Sequence, residues 1–240
     1  MKKLIMKTGL LFMRMRYYFK YLKTRKYKIL KTRYRFIGHD KVYRIKACRN
    51  FNNVKKGDIG GYIGKHCYLA QTGKCWIYDD AIVNGATFIK GNSIIKDNAH
   101  INGRDIVIRD NCRISGYVVI AGENITIAGN SIIRNQATIN SNVAISCNSY
   151  ISGPRTIIIN ARLCNAFIES NDDFITFTGF GRVNRTTTIS KTRGKELSVC
   201  CGCFHGNIKK FEQQVMETHE EGSYRRDEYL EMIKLAEIHF

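Results

Sequence analysis

The chain has 240 residues, with 39 Lys and Arg, 20 Asp and Glu, and a formal net charge of +19. This length allows one elongated domain with capping elements, or one domain and a small second one. No run reaches the ~18 apolar residues that a membrane span needs, and Lys7, Arg14 and Arg16 interrupt the apolar residues near the start, so we expect no secretory signal.

The positive charge is concentrated at the N-terminus. Residues 1–50 contain 17 Lys or Arg and one acidic residue, whereas the rest of the chain carries 22 basic and 19 acidic residues. The arm, residues 1–26, is predicted to be either a basic amphipathic helix on nucleic acid or an anionic membrane, or an extension upstream of the folded body. Its candidate anion-binding residues are Lys2, Lys3, Arg14, Arg16, Lys20, Lys23, Arg25 and Lys26. Such binding would be non-specific and salt-dependent.

Residues 27–75 are predicted to form an N-terminal β cap. Residues 27–37 and 42–47 have the composition of two strands around the turn-forming sequence Gly38-His39-Asp40-Lys41. A cap is needed because the open end of a repeat protein exposes a strand edge. We expect Trp76 to pack where this cap meets the repeat.

Residues 76–160 repeat a phrase: a small residue, any residue, an aliphatic residue, any residue, then Gly, Asn or Asp. Clear copies occupy residues 81–85, 99–103, 112–116 and 149–153. The aliphatic positions are 83, 88, 95, 101, 108, 114, 119, 127, 133, 139, 145, 151 and 158, which cover 75 residues in 12 steps, a mean period of 6.25. Six residues make one short strand and one corner, so three units close a coil of about 18 residues.

The repeat predicts an all-β solenoid, a single-stranded β-helix. The aliphatic residue points inward, and Gly, Asn or Asp occupies the corner because these residues tolerate left-handed backbone angles. Thirteen positions predict about four coils, stacked roughly 4.8 Å apart. The period does not decide the handedness, but the small–x–aliphatic order resembles the left-handed hexapeptide-repeat family.

Residues 161–240 are predicted to form a small α+β C-terminal cap. Strand character covers residues 167–177, 185–189 and 197–199. Asn207 is the predicted N-cap of a helix that reaches about His219. A second helix follows Gly222 from about Arg226 to the end. Its apolar stripe consists of Tyr229, Met232, Ile233 and Ala236.

With no secretory signal expected, the nine cysteines are predicted to be reduced thiols of a cytoplasmic protein. The densest group of possible metal ligands is Cys200, Cys201, Cys203 and His205. Structural zinc usually takes two pairs of ligands with two to four residues within a pair, so we predict no metal site here. A zinc site completed by Cys164 or His219, and a reactive cysteine assisted by His219, remain weak alternatives.

Several segments carry a resemblance to one family. They are residues 43–47, 54–62, 75–78 and 201–206, with Phe211, Val215, Thr218, His219 and Tyr229. Over roughly residues 27–240 the chain resembles uncharacterised β-helix proteins of tailed phages, prophages and bacteria, often labelled as hexapeptide-repeat transferases. The resemblance implies the fold and a phage-type provenance, and with it the cytoplasm of a bacterial host cell, but the family has no settled activity to transfer. The long basic arm departs from the family pattern.

The solenoid leads to three functional hypotheses. The preferred one is a non-enzymatic scaffold that binds a protein partner without a cofactor, as a host-directed, anti-defence accessory. The second is an acyltransferase that uses acetyl-CoA, with the outward-facing His100 as general base. The third is binding of nucleic acid or anionic lipid by the arm. A zinc hydratase is set aside, because it needs three converging His and the repeat contains one.

Several outward positions of the repeat are apolar, which predicts a contact surface. They are Ile82, Ile94, Val107, Ile132 and Ile157, with Ile159 nearby. Either the C-terminal helices fold back over one face, or copies of the chain associate. By analogy with hexapeptide-repeat proteins, the expected assembly is a trimer.

Overall fold

The computed structural model describes residues 25–180 and 185–240. Six of the arm's candidate anion-binding residues lie outside this part of the chain: Lys2, Lys3, Arg14, Arg16, Lys20 and Lys23. The structural prediction for the arm therefore stays a prediction. Among the described residues, no helix is both long enough and apolar enough to cross a membrane.

The N-terminal cap begins with an antiparallel hairpin. Strands β1 (Tyr27–Ile37) and β2 (Asp40–Ala47) pair through a turn in which Gly38 has a φ of 57°. The predicted hairpin is confirmed, and β2 begins at Asp40 instead of residue 42. Strand β2 also pairs antiparallel with β3 (Ile59–Gly64), which is the first strand of the solenoid.

From β3 onward the chain winds around three faces, and each strand is parallel to the strand one coil away. Strands β6 (Ile82–Ile89), β8 (His100–Ile108) and β10 (Val119–Ile127) each pass from the first face to the second. The first face is completed by β12 (Thr138–Ile139) and β15 (Ile157–Ile158), and the second by β4 (Tyr68–Leu69), β13 (Val143–Ser146) and β16 (Arg162–Cys164). The third face consists of β5 (Trp76–Ile77), β7 (Ile94–Ile95), β9 (Arg113–Ile114), β11 (Ile132–Ile133), β14 (Tyr150–Ile151) and β17 (Phe167–Ile168).

One aliphatic residue per face and coil points into a continuous core. The first column is Ile63, Val83, Ile101, Ile120, Ile139 and Ile158, the second is Leu69, Ile89, Ile108, Ile127, Ile145 and Leu163, and the third is Ile77, Ile95, Ile114, Ile133, Ile151 and Ile168. Each is at most 1% exposed. These columns define a solenoid of about six turns, so the prediction of about four was too low. The first coil starts at β3, inside the residues assigned to the cap, and the last extends to Ile168, beyond the predicted boundary at 160.

Eleven of the thirteen predicted inward positions are confirmed, and two are wrong by one residue. Phe88 is 47% exposed and Val119 is 39% exposed, whereas the adjacent Ile89 and Ile120 are fully buried. Both errors occur where consecutive residues are apolar, so the pattern alone does not show which of them faces inward. The register is set instead by the coil below, against which Val119 pairs with His100 and Ile120 with Ile101.

The corners follow the predicted chemistry and add a feature that the repeat did not predict. Gly, Asn and Asp take positive φ at successive corners, as at Asp97, Gly116 and Asn135. At one corner, four asparagine side chains form a hydrogen-bonded ladder along the stack. The Nδ2 atom of each donates to the Oδ1 atom of the next, from Asn92 to Asn111 (2.9 Å), from Asn111 to Asn130 (2.9 Å) and from Asn130 to Asn148 (2.7 Å).

The N-terminal end of the core is closed by aromatic residues. Trp76 is buried, and its ring centroid lies 5.3 Å from that of Phe51 and 6.3 Å from that of Tyr27. Both contacts are edge-to-face, a favoured geometry for aromatic pairs. The expectation that Trp76 packs where the cap meets the first coil is confirmed.

The C-terminal cap is a four-stranded antiparallel sheet covered by two helices. Its strands are β18 (Phe174–Phe180), β19 (Arg185–Lys191), β20 (Leu197–Cys201) and β21 (Phe204–Asn207), and a 3-10 turn at Asn171–Asp173 separates β17 from β18. The sheet joins the last coil: Ser198 Oγ donates to the Cys164 carbonyl at 2.8 Å, and the Arg162 amide donates to Thr188 Oγ1 at 3.1 Å.

Both predicted helices are confirmed. Helix α1 (Ile208–Thr218) is capped by Asn207, whose side-chain oxygen accepts from the Lys210 amide at 2.9 Å. Helix α2 (Tyr224–His239) buries the predicted stripe of Tyr229, Met232, Ile233 and Ala236. Both helices pack on the C-terminal sheet in a second core, so they do not fold back over a face of the solenoid.

One pair of cysteines differs from the expectation of reduced thiols. Cys147 and Cys164 form a disulfide, while the other seven cysteines are free. The two residues are 17 positions apart, close to one coil, so coil stacking brings their Cα atoms to 4.9 Å. The geometry of the repeat therefore places this pair within bonding distance.

A pair of charge substitutions tests the inward and outward positions of the middle coils. Ile139 is fully buried, whereas Arg134 is exposed. Ile139→Asp should lower the free energy of unfolding by more than about 4 kcal/mol, because the stacked wall cannot relax around a buried charge. Arg134→Asp should change it by no more than about 0.5 kcal/mol. Thermal unfolding by circular dichroism measures both, and equal melting temperatures would show that the register is wrong.

The asparagine ladder should contribute measurably to stability. Asn111 lies within it and both donates and accepts, so Asn111→Ala should lower the free energy of unfolding by about 1 kcal/mol. Asn98→Ala is the matched control, because Asn98 is also exposed but its side chain makes no hydrogen bond within residues 25–180 and 185–240. Urea unfolding measures both variants. A loss of the same size in the control would contradict a specific role for the ladder.

Candidate functional site

His100 lies at the start of β8, with its side chain on the outside of the first face. Its register partners are Ile82 in the coil before and Val119 in the coil after. The imidazole is half-buried, and within the described part of the chain its Nε2 atom is buried without a hydrogen-bond partner. Desolvation by burial lowers the pKa of His100 below 6.5. The ring is therefore neutral at pH 7.

A neutral imidazole can accept a proton, so His100 has the protonation state that a general base needs. The structure confirms that it faces outward, as the repeat predicted. However, His100 does not line any of the cavities described below. His100 thus lies on the outer wall of the solenoid, away from these cavities.

The first face around His100 is apolar. Val119 follows His100 in the outward column, Ile157 lies two coils further along, and Ile159 is two residues after it. All three are exposed, and Ile82 is half-buried. Of the predicted outward apolar residues, Ile82, Ile157 and Ile159 therefore belong to the face that carries His100, and the C-terminal helices leave this face uncovered. Val107 lies on the second face, and Ile94 and Ile132 lie on the third, so the predicted set does not form one patch.

The second face carries an exposed aromatic pair. Tyr68 and Phe88 are register partners on adjacent coils, with ring centroids 6.1 Å apart, and Val107 continues the column. Both rings are exposed to solvent. This pair was not predicted, because residues 59–75 were assigned to the cap and Phe88 was placed in the core.

Two larger cavities lie at the ends of the solenoid. The N-terminal one, about 490 Å³, is lined by Trp76, Arg33 and Arg44 together with Asp58, Asp79 and Asp80. Arg44 is held there by an ion pair with Asp80 and a hydrogen bond to the Gly60 carbonyl. The C-terminal cavity, about 660 Å³, mixes Lys191, Arg193 and Lys195 with Glu169, Asp173 and Glu237. Neither lining has an excess of charge that would select one class of ligand.

A small cavity of about 190 Å³ contains part of the cysteine cluster. Cys200, Cys203 and His205 line it together with the Cys147–Cys164 disulfide. Cys201 belongs instead to the second core, where it accepts a hydrogen bond from Thr187 Oγ1 at 3.1 Å. Burial raises the pKa of Cys200 to about 11, which keeps it protonated and weakly nucleophilic at neutral pH.

The cysteine cluster does not gather into a metal centre. Successive residues of a strand face opposite sides, so Cys200 and Cys201 are separated by the sheet itself. Across residues 25–180 and 185–240, no group of three or more His, Cys, Asp or Glu side chains is placed to hold a metal ion. His219, the suggested partner of a reactive cysteine, stacks on Tyr229 with ring centroids 5.6 Å apart.

Lys26 differs from its predicted place in the arm. It is fully buried, and its Nζ atom donates to the carbonyl oxygens of Cys75 at 2.9 Å and Thr72 at 3.3 Å. Burial lowers the pKa of its ammonium group. Lys26 therefore caps backbone carbonyls at the first coil and is not available to an anionic partner. Arg25 is half-buried, so the exposed cations of the cap lie further along the hairpin.

Comparison with known proteins gives one local similarity. No protein-family model matches the chain. The chain is 37% identical over 76 residues to a protein of Escherichia coli (strain K12) named "Uncharacterized acetyltransferase YdcK". The match covers 26% of this chain and 23% of that protein. It supports the resemblance to transferase-type β-helix proteins. The phage provenance, and the resemblance carried by residues 201–206 in the C-terminal cap, stay predictions.

Proposed function

We propose that the chain is an acyl-CoA-dependent acyltransferase of the hexapeptide-repeat type. The observation that carries the proposal is the similarity to a protein named as an acetyltransferase. The β-solenoid and the neutral, outward His100 are consistent with this activity. This evidence favours catalysis over the non-enzymatic scaffold that was preferred from the sequence.

In this proposal, acetyl-CoA is the acyl donor and His100 is the general base. The imidazole takes the proton from a hydroxyl or amine of the acceptor as that oxygen or nitrogen attacks the thioester carbonyl carbon. The new bond to the acyl carbon forms, the carbon–sulfur bond breaks, and the imidazolium returns the proton to the departing CoA thiolate. Desolvation favours this cycle, because it keeps the resting imidazole in its base form.

The site is completed by a second copy of the chain. His100 lies on an apolar wall, outside the two cavities at the ends of the solenoid. A neighbouring solenoid packed along the first face, in a trimer, would cover Val119 and Ile157 and close a groove next to His100. The same contact would remove the exposed apolar surface from water.

His100→Ala should reduce acetyl transfer from acetyl-CoA by about 10²-fold or more, since it removes the base. His39→Ala is the matched control, because His39 is an exposed histidine in the hairpin turn. In the wild type, kcat/KM should hold through pH 7 and fall only below pH 6.5, as the lowered pKa of His100 is reached and the base becomes protonated. The rate at which free CoA thiol is released measures the effect of each variant and the pH profile. Acetyl transfer that survives His100→Ala would contradict the role of His100.

Val119→Lys should dissociate the trimer and lower the turnover, because it places an ammonium group in the proposed contact. Thr126→Lys is its control, as Thr126 is an outward, half-buried residue of the second face. Light scattering coupled to size-exclusion chromatography measures the mass of each. A wild type that is monomeric and active, or a Val119→Lys variant that stays trimeric, would show that the first face is not the subunit contact.

The non-enzymatic scaffold is the second candidate, favoured by the exposed Tyr68–Phe88 pair on the second face. This pair lies outside the first face that carries His100, and with Val107 it offers a compact apolar patch to a protein partner. The host-directed, anti-defence role belongs to this candidate. A wild-type chain that transfers no acetyl group to a panel of hydroxyl and amine acceptors would favour it over catalysis.

A further inference from the structure

The β1–β2 hairpin carries a cluster of aromatic rings on its surface. Tyr34 lies across from Tyr43 in the register, with ring centroids 6.2 Å apart, and 5.6 Å from Phe36. The Nζ atom of Lys41 lies 4.8 Å from the Tyr34 centroid and 5.3 Å from the Phe36 centroid. Tyr34 and Phe36 are largely exposed, so ring faces are within reach of a ligand.

The same hairpin carries cations without an ion-pair partner. Residues 25–47 contain nine Lys or Arg and one acidic residue, Asp40, which accepts a hydrogen bond from Asn84. Arg35 and Arg44 are engaged by Asp80. Within the part of the chain that the structure describes, the exposed Lys28, Lys31, Arg33 and Lys41 make no ion pair. Arg33 lines the N-terminal cavity beside Asp58, Asp79 and Asp80, so Lys28, Lys31 and Lys41 are the cations left to meet an anionic partner.

The hairpin also provides a free backbone edge. Among residues 25–180 and 185–240, strand β1 is the terminal strand of its sheet and pairs only with β2. Its register shifts between Leu30 and Tyr34, where Lys31 and Arg33 lie. Exposed edge amides and neighbouring cations both suit phosphate oxygens, which accept hydrogen bonds and carry negative charge.

We propose that this hairpin binds single-stranded nucleic acid. The cations Lys28, Lys31 and Lys41 contact the phosphates, and bases stack on Tyr34 and Phe36. Stacking on a protein ring needs an unstacked base face, which a single strand offers and a duplex does not. When Lys41 moves from the rings to a phosphate, it exposes the ring faces for stacking.

The observations favour nucleic acid over a membrane surface. Interfacial binding needs a continuous apolar face that enters the lipid. Here an ammonium group lies over the two exposed rings, and cations flank them on both strands. The inference is independent of acyl transfer, since none of these residues belongs to the first face around His100.

The test uses the full chain and a fluorescein-labelled oligothymidylate of about 12 nucleotides, with fluorescence anisotropy as the readout. Tyr34→Ala and Phe36→Ala should each weaken binding by about tenfold, the loss expected for one stacked base. Tyr117→Ala is the matched control, because Tyr117 is an exposed aromatic residue of the solenoid, 65% exposed against 59% for Phe36. Lys41→Gln should lower the slope of log K against log salt concentration by about 0.7, the value for one phosphate contact.

Several outcomes separate the hairpin from other anion-binding surfaces. Tyr34→Ala and Phe36→Ala variants that bind like the wild type would overturn the proposal and assign binding to the arm. Equal affinity for a duplex of the same length, or complete competition by phosphatidylserine-containing vesicles, would also overturn it. A double variant with Lys20→Gln and Lys23→Gln should show a weaker salt dependence of oligonucleotide affinity. Adding Tyr34→Ala to this double variant should still weaken binding by about tenfold. His100→Ala should bind as the wild type does, which keeps this test separate from acyl transfer.

Discussion

The parallel hydrogen bonds between consecutive coils hold the rest of the structure in place. The Ile82 amide donates to the Ala99 carbonyl at 2.9 Å, and the His100 amide donates to the Val118 carbonyl at 2.8 Å. Because these bonds repeat at strand spacing, residues one turn apart are stacked directly on each other. The inward isoleucine columns, the asparagine ladder and the Cys147–Cys164 bond are all consequences of this stacking.

The same stacking produces the chemical state of His100. Its neighbours in the outward column are fixed by register as Ile82 and Val119, and both are apolar. The ring is therefore partly desolvated by its own fold, with no carboxylate in that column to hold a proton on it. The histidine is neutral because of where the repeat places it, and a partner that covers the same face would only strengthen this effect.

Much of the fold could be predicted from the sequence, because the repeat, the turn at Gly38 and the N-cap at Asn207 each follow from local chemistry. Where two apolar residues are adjacent, as at Phe88-Ile89 and Val119-Ile120, the sequence did not determine which of the two faces the core. The repeat predicted that His100 faces outward. Its partial burial could not be predicted, because it depends on which residues of the neighbouring coils lie beside it, and the mean period of the repeat does not give that register. The burial of Lys26 depends on carbonyls more than 45 residues away in sequence, and the separation of Cys200 from Cys201 depends on a strand whose two sides face different cores.

The two caps determine how far the stack extends. At one end β2 runs antiparallel to β3, and at the other the C-terminal sheet is bonded to the last coil, so a cap covers each end of the stack of parallel strands. Between the caps, every coil meets equivalent neighbours, so whole turns can be gained or lost without altering either end. The height of the solenoid, and with it the area of each face, can therefore vary in steps of one turn while the caps and the His100 coil stay the same.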